Sequence, residues 1–476
     1  MTFCLPWMPI VERSWLEEKD HFKPSPLLLQ SVFLAGSRVA SGLLPNISSE
    51  DFYRRAKALF YCGYEKNRII NIVSLCLLHW WSPAGPEELP ADNSDFWLSI
   101  GVRYAYQVGL HKQPTDGKHA ALKRRIWWTL VARDCMISAS LGRPRTICLE
   151  DCDVSPPSLR DFSVQGPTSR LYVAYVGICQ IMGDIAEHRM RQKLSGSPRV
   201  QFENALYRWV KDLPPELRLF HHGSERTLSS YNFQARQLLI HYFVSLVMLF
   251  GSSDSQRKHT ATCLLASSFI CGIFQDFLAR GELRYLRVNF AFLSLAAGLS
   301  QLTGYRYSAL RSLAEHEIDV IKLSLQELSV KWRSAKGALK SLVDVASSMS
   351  QQPQWPEPCP KLSSTALLFF EDFGPELCEA WSILVGQDRL SNSLPTTSLG
   401  ACRAATDHAE HFEPSTSIDP TVVVEPPSVP DMSFDSPCAF GHQGVDGLHG
   451  QVAPFWPGWD SSGTWLLTDL NDEGLW

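Results

Sequence analysis

The sequence predicts an all-α protein, and three observations support this prediction. Apolar residues recur at helical spacing through most of the first 345 residues. Capping residues, glycines and prolines mark where those segments start and stop. No convincing run of strict apolar and polar alternation bounded by turn residues indicates a strand. We therefore expect a multi-helix bundle or stacked αα-hairpins, followed by a disordered C-terminal tail.

The first helices are predicted from their N-caps, because Ser and Asn side chains accept hydrogen bonds from the free N–H groups of a first turn. Ser48 starts one helix and Asn67 the next, which together predict an αα-hairpin. Asn93 starts a third helix, which Gly109 ends. The alternative caps one residue later are Ser49 and Ser94. The residues expected to face the core are Phe52, Ala56, Leu59, Phe60, Ile70, Val73, Leu77, Phe96, Ile100, Tyr104 and Val108.

The next helix is predicted over residues 123–140, which contain no glycine or proline. Gly142 after the last periodic residue and Pro144 soon after it predict where the helix ends. We expect Arg124, Trp128 and Asp134 to lie off the centre of the buried stripe. The residues of that stripe are Ile126, Leu130, Met136, Ile137 and Ser140.

One segment resembles the signature of the fungal-specific transcription factor middle homology region: residues 123–157, KRRIWWTLVARDCMISASLGRPRTICLEDCDVSPP. The shared elements, in order, are Arg124, Arg125, Trp127, Trp128, Arg133, Asp134, Gly142, Arg143, Pro144, Asp151, Cys152, Asp153, Val154 and Pro156. The order and spacing of so many elements are more specific than a lone motif. The resemblance covers roughly Pro24 to Val345. Similar family helices are an apolar one over residues 232–250, a pair over 261–301 and one with a Trp-x-x-Ala over 318–342.

The signature residues are expected to be structural. Large aromatics such as Trp127 and Trp128 are more often core residues than parts of a ligand cage. Arg124, Arg133 and Arg143 are expected to form an ion-pair network that fixes the Gly-Arg-Pro loop against the helix. The acidic partners in that network are Asp134, Asp151 and Asp153. We expect Arg143→Ala to unfold or loosen the body, because removing one partner leaves the other charge unpaired.

The predicted organisation has four parts. Composition changes after residue 350, where QQPQWPEPCPK is a proline-rich break, and one last helical segment is predicted over residues 367–385. From residue 391 onward Pro, Ser, Thr, Gly and acidic residues dominate, which is typical of disorder. The parts are a lead-in (1–23), the helical body (24–345), the break with its last helix (346–390) and the tail (391–476).

The tail is strongly acidic. Residues 391–476 contain twelve acidic residues and one basic, a net charge of −11, which leaves +6 on the preceding 390 residues. Acidic residues keep neighbouring aromatic and leucine side chains solvated, so that they can enter a groove on a partner. We predict an activation segment with these contacts: Phe455, Trp456, Trp459, Trp465, Leu466, Leu467, Leu470 and Trp476. The alternative is a solvating terminus that docks on its own body.

Thirteen cysteines are scattered along the chain without a Cys-x-x-Cys, so no zinc site is predicted. Family members usually carry an N-terminal binuclear zinc cluster, a linker and a coiled coil, and none of these is recognisable in this sequence. We therefore predict no cofactor in this chain. Cys148 and Cys152 have the spacing of a ligand pair, but no further ligand is near in sequence. The odd cysteine count and the lack of a signal peptide predict a reducing intracellular compartment.

No membrane span is predicted, because the apolar stretches 238–250 and 290–299 are shorter than the ~20 residues that a span needs. We expect both stretches to be central helices of the bundle. The family resemblance implies a nuclear location.

Catalytic motifs are missing from the sequence: there is no Gly-x-Ser-x-Gly, no phosphate-binding Gly-rich loop and no Gly-x-Gly-x-x-Gly. We predict that the chain is not an enzyme. A helical enzyme with a polar cavity and shifted ionisable groups is the alternative from another class.

The resemblance implies a transcription regulator without a recognisable DNA-binding domain of its own. Truncation, an incomplete gene model and recruitment by another protein explain the missing zinc cluster equally well. The implied partners are transcription machinery or a co-activator at the tail, and a DNA-binding partner or a second copy of the chain. A small-molecule effector that enters a cavity among the helices is also compatible, which makes a small-molecule-sensing regulator or co-regulator the alternative function.

Overall fold

The computed structural model describes residues 3–18, 23–39, 47–82, 92–115, 117, 119–191, 197–221, 227–251, 256–350 and 358–386. These residues belong to one compact unit. The prediction of an all-α fold is confirmed. The predicted tail, with its candidate activation contacts, lies outside the described residues.

The described part of the chain is a succession of helices. The larger helices are α1 (Pro26–Val39), α2 (Ser49–Tyr61), α3 (Arg68–Leu78), α4 (Ser94–Gln107), α5 (Ala120–Leu141), α6 (Pro167–Arg191), α7 (Ser197–Lys211), α8 (Phe233–Phe250), α9 (Gln256–Ala279), α10 (Phe290–Leu302), α11 (Arg311–Ser329) and α12 (Arg333–Ser350). Two short helices follow, α13 (Ser364–Leu367) and α14 (Trp381–Leu384). Two-residue strands, β1 (Phe220–His221) and β2 (Thr227–Leu228), pair antiparallel with Phe220 opposite Leu228. Most neighbouring helices in sequence also pack together, including α5 with α6 and α8 with α9.

The predicted helix ends agree with the structure. The Ser48 side chain accepts from the backbone N–H of Asp51 and forms a capping box that starts α2. The side chains of Asn67 and Asn93 accept from the first turns of α3 and α4. Gly142 ends α5 with a φ of 62°, in the left-handed region that glycine adopts without a Cβ clash.

The centre of the body is formed by apolar helices. Every residue of α10 is buried, and so is every residue of α8 from Ala235 to Phe250. By length and composition, α8 and residues 260–279 of α9 could each cross a membrane, and both are largely buried inside the protein. The predicted stretches 238–250 and 290–299 are therefore core helices, although α8 is longer than the first of them. A helix that is apolar on all sides is stable in this position because other helices cover it.

Helix α5 differs from its predicted amphipathic pattern. Ile137 and Ser140, placed on the buried stripe, are partly exposed, while Trp128 and Asp134, placed off the centre of the stripe, are buried. The reason is that α5 packs against α6, α4 and α3, so that no broad solvent face remains. A single-stripe interpretation is wrong for a helix that other helices surround.

The predicted helix over residues 318–342 is two helices. It breaks between α11 and α12 at Trp332, whose indole Nε1 donates to the carbonyl of Leu286 at 3.1 Å. The guanidinium of Arg38 lies 4.2 Å from the centre of the same indole. These contacts place the Trp-x-x-Ala tryptophan in the core and separate two helices that pack against each other.

The prediction of one last helix over residues 367–385 is also wrong. Short helices α13 and α14 are separated by single 3-10 turns, and Gly374 before Pro375 interrupts the helical pattern. The segment still packs into the core, through Phe369, Phe370, Phe373 and Trp381.

The N-terminal lead-in is part of the core. Trp7, Met8 and Ile10 are buried, and the short 3-10 turn that contains Trp7 packs against α6. The Nε of Arg125 on α5 donates to the carbonyl of Pro9 at 2.8 Å, which holds the lead-in against the signature helix.

Candidate functional site

The signature loop after α5 is held by one carboxylate. Asp134 is buried, and its oxygens accept from the backbone N–H groups of Thr146 at 3.0 Å and Ile147 at 2.8 Å. The Ser138 hydroxyl donates to the carbonyl of Arg143 at 2.6 Å. Burial raises the pKa of Asp134, and the two N–H donors oppose that rise. Asp134 therefore acts as a cap for the loop rather than as a member of an ion pair.

The predicted ion-pair network is wrong in its partners. Arg124 pairs with Asp161, and Nη1 of Arg143 lies 3.1 Å from the carboxylate of Asp95. Asp153 accepts instead from the backbone N–H of Gln113 at 2.6 Å. Spacing along one segment does not show which carboxylates meet an arginine, because these partners come from other turns and helices.

The remaining signature residues have structural positions. Trp127 and Trp128 lie in the core, and Nε1 of Trp128 donates to the carbonyl of Ser155 at 2.8 Å. Pro144 and Asp151 are exposed on the loop.

Sequence reasoning missed two ion pairs that Arg145 makes in this region. Arg145 lies 2.8 Å from the carboxylate of Asp184 and also pairs with Glu187. Those two acids are three residues apart on α6 and thus share a face. That spacing was a usable signal, because two acids on one helical face require either solvent or a cation.

Arg133 has a different environment. Its Nε donates to Nδ1 of His79 at 3.1 Å, and it makes no ion pair with a described carboxylate. Arg133 is thus the one signature arginine whose predicted acidic partner is replaced by a neutral ring.

A cleft of about 510 Å³ lies between the lead-in, the β-hairpin region and the start of α8. Its lining mixes aromatic and polar side chains: Phe3, Trp7, Pro215, Glu216, Arg218, His221, Ser229, Ser230, Tyr231, Asn232, Phe233, Gln234, Gln237 and Glu282. The Tyr231 hydroxyl donates to Glu282, and the guanidinium groups of Arg280 and Arg236 lie 3.7 and 4.2 Å from the Tyr231 ring centre. The charged groups at this edge of the cleft already have partners.

Among the described residues, no group of three or more His, Cys, Asp or Glu side chains is placed to hold a metal ion. The thiol of Cys152 donates to the carbonyl of Cys148 at 3.1 Å. The absence of a cofactor from this chain stays a prediction.

Comparison with known families gives one match. Residues 1–211 match the fungal specific transcription factor domain. The matched residues include the whole signature segment. No solved structure matches this chain.

Several curated fungal proteins are similar to the chain. The acetamidase regulatory protein of Aspergillus oryzae is 29% identical over 360 residues, which cover 71% of this chain and 46% of the relative. The protein of the same name from Aspergillus fumigatus is 29% identical over 72% of this chain and 47% of its own length. Cutinase transcription factor 1 alpha of Fusarium vanettenii is 26% identical over 70% of this chain and 40% of its own length. The chain thus spans less than half the length of these relatives.

Proposed function

This chain belongs to the fungal-specific transcription factor family, and from that premise we propose that it regulates transcription in the nucleus. The helical body acts as the regulatory region and the acidic tail as the effector. In this proposal the chain binds other macromolecules and catalyses no reaction.

One observation carries the proposal. The similarity to the named regulators extends over 360 to 378 residues, which is longer than the 211 residues of the domain match. The alignment therefore includes helices beyond the signature. A core of buried aromatic and aliphatic residues with structural ion pairs around the signature loop supports a scaffold role for the body.

The partner at the tail is transcription machinery or a co-activator. Support comes from the tail sequence, where large hydrophobic residues alternate with acids at a net charge of −11 over residues 391–476. Such segments bind grooves on partners by inserting aromatic side chains. Recruitment to DNA is through a DNA-binding partner, a second copy of the chain or a DNA-binding domain on a longer form of the protein.

A reporter assay tests the effector role. Residues 391–476 are fused to an unrelated DNA-binding domain, and the matched control carries Trp456→Ala, Trp459→Ala and Trp465→Ala. We expect the fusion to activate the reporter and the triple variant to lose most of that activation at equal protein level. A second fusion contains the whole chain. Silence from both fusions, or equal activity of the triple variant, would reject the activation role of the tail.

A further inference from the structure

Two arginines of the body, the partly exposed Arg133 and the buried Arg287, have no carboxylate partner among the described residues. Arg133 lies on α5, and Arg287 lies in the turn before α10. The Nε of Arg133 donates to Nδ1 of His79, and Nη1 of Arg287 donates to the hydroxyl of Tyr175, both at 3.1 Å. We name these four residues the cationic cluster. It joins α3, α5, α6 and the turn before α10.

The nitrogen atoms of the cationic cluster that have no hydrogen-bond partner among the described residues are all donors. Arg287 is 5% exposed, and its Nε and Nη2 have no hydrogen-bond partner within the described part of the chain. His79 is 1% exposed, and its Nε2 is likewise without a described partner. Because Nδ1 of His79 accepts from Arg133, the proton of the neutral ring is on Nε2. The missing element is therefore an acceptor, and buried donors without one are costly.

The positive charges of the cluster are also without a compensating carboxylate within the part of the chain that the structure describes. Burial lowers the pKa of Arg133, and the charge of Arg287 adds to that lowering. Burial raises the pKa of the Cys76 and Cys179 thiols to about 12, so both are neutral at cellular pH. A buried charge is expensive unless a counterion or metal accompanies it.

Aromatic contacts do not satisfy these donors. The guanidinium of Arg287 lies 4.3 Å from the ring centre of Trp7 and 4.9 Å from that of Tyr175. Rings stacked on a guanidinium stabilise its charge through the faces of the group. The N–H bonds point outward in the guanidinium plane, so the rings leave Nε and Nη2 free to donate.

We propose that the cationic cluster binds a small organic carboxylate. Nε and Nη2 lie on the same edge of the Arg287 guanidinium, and two parallel donors of this kind match the two oxygens of a carboxylate. The rings of Trp7 and Tyr175 lie against the guanidinium, and Tyr175 packs against His241, whose ring packs against Phe290. These rings suit an apolar group attached to the carboxylate.

A bound carboxylate would connect the lead-in to the helical body. Trp7 belongs to the lead-in, and its ring packs edge-on against Tyr175 of α6 with centroids 5.0 Å apart. Tyr175 in turn packs against His241 of α8 at 5.5 Å. The role of this ligand as an effector rests on the proposed function, whereas the binding site itself rests on the geometry alone.

Thermal unfolding of the full chain tests the site. Acetate, butyrate, hexanoate and benzoate are each titrated into the protein at constant ionic strength. Chloride, inorganic phosphate and sulfate are the control anions. We expect at least one carboxylate to raise Tm in a saturable manner, because a ligand that binds the folded state stabilises it. Chloride, phosphate and sulfate should give no saturable shift.

Two variants identify the residue responsible. Arg287→Met should abolish the carboxylate shift while the unliganded Tm stays equal or rises, since the variant removes an unpaired buried charge. The matched control is Arg236→Met, which removes a buried arginine whose Nε lies 2.8 Å from Asp276 and whose guanidinium also lies over a tyrosine ring. The control should lower Tm and keep the carboxylate shift.

Several results would overturn the proposal. They are no saturable shift with any carboxylate, an equal shift with phosphate or sulfate, or a shift that survives Arg287→Met. A Tm loss in Arg287→Met as large as in Arg236→Met would assign Arg287 a purely structural role. If Arg287→Met does not fold, Arg287→Lys keeps the charge without the paired donors and should weaken carboxylate binding measured by calorimetry. Reporter activation by the tail is a separate readout, so failure of the site leaves the regulator proposal intact.

Discussion

Arg145 and Arg287 are both largely buried arginines of one helical body, but their surroundings differ. Burial alone would lower the pKa of Arg145, yet the pKa is raised overall by Cys135, Asp184 and Glu187. Arg287 contacts the rings of Trp7 and Tyr175, and its Nε and Nη2 have no hydrogen-bond partner among the described residues. The comparison shows that Arg145 of the signature loop has its acidic partners, whereas no described residue supplies an anion to the cationic cluster.

The largest effect on this comparison is expected from Arg145→Ala. Its removal takes away the cation that Asp184 and Glu187 share and leaves Glu187 only its exposed partner Arg191, and breaking a largely buried pair such as Arg145–Glu187 costs about 3–5 kcal/mol. Urea unfolding measures the loss of free energy of unfolding. The control is Arg191→Ala, because Arg191 also pairs with Glu187 but its side chain is 69% exposed. An exposed pair of this kind contributes about 0–1 kcal/mol. Equal losses of free energy of unfolding in the two variants would contradict the view that Arg145 makes the more stabilising ion pairs.

Asp134→Ala should have the next largest effect. The variant leaves the N–H groups of Thr146 and Ile147 without their acceptor, at about 1–3 kcal/mol for the buried donor of Ile147 and less for that of the exposed Thr146. Asp134→Asn keeps one amide oxygen as an acceptor and should lose less. Urea unfolding and hydrogen exchange at both amides provide the measurement. Unchanged protection at Thr146 and Ile147 in the alanine variant would show that the loop is held by other contacts.

Glu317 is an acidic counterpart to Arg287. It is buried on α11, its Oε1 accepts from the Ser268 hydroxyl, and its Oε2 has no partner within the described residues. Burial raises its pKa from 4.5 to about 8. Between these two values the folded protein keeps a proton that the unfolded chain has lost, so stability falls as pH rises through this window.

Glu317→Gln should remove that pH dependence. The amide keeps an acceptor for Ser268 and carries no charge, so we expect Tm at pH 8 to rise by a few degrees and to change little at pH 5. Melting curves from pH 5 to pH 9 measure the effect. Glu327→Gln, an exposed site on the same helix, serves as the control. Parallel curves for wild type and Glu317→Gln would show that the carboxyl is already ionised in the folded state.

The smallest effect is expected from Arg143→Ala. Arg143 and Asp95 each keep about a third of their side-chain surface exposed, at 34% and 32%. Solvent screens such a pair, so we expect a loss of about 0–1 kcal/mol in free energy of unfolding. The expectation from sequence alone, that this variant loosens the body, is revised for that reason. A loss of free energy of unfolding as large as that of Arg145→Ala would restore the original expectation.

Local features were predicted well. Ser48, Asn67 and Asn93 cap the helices that they were expected to cap, and Gly142 ends α5. A cap acts within one turn of its own residue, so its consequences can be read from neighbouring positions. The break at Trp332 was missed because the contacts that Trp332 makes there are with Arg38 and Leu286, which are distant in sequence.

The sequence by itself determined the helical class, most helix ends and the family signature, because these depend on residues a few positions apart. Only the tertiary structure decided which charges meet. Arg124 finds its acid 37 residues away, Arg145 contacts one acid 42 residues away, and Arg287 reaches Tyr175 across 112 residues. Such partners are brought together by helix packing, and neither residue spacing nor composition specifies that packing.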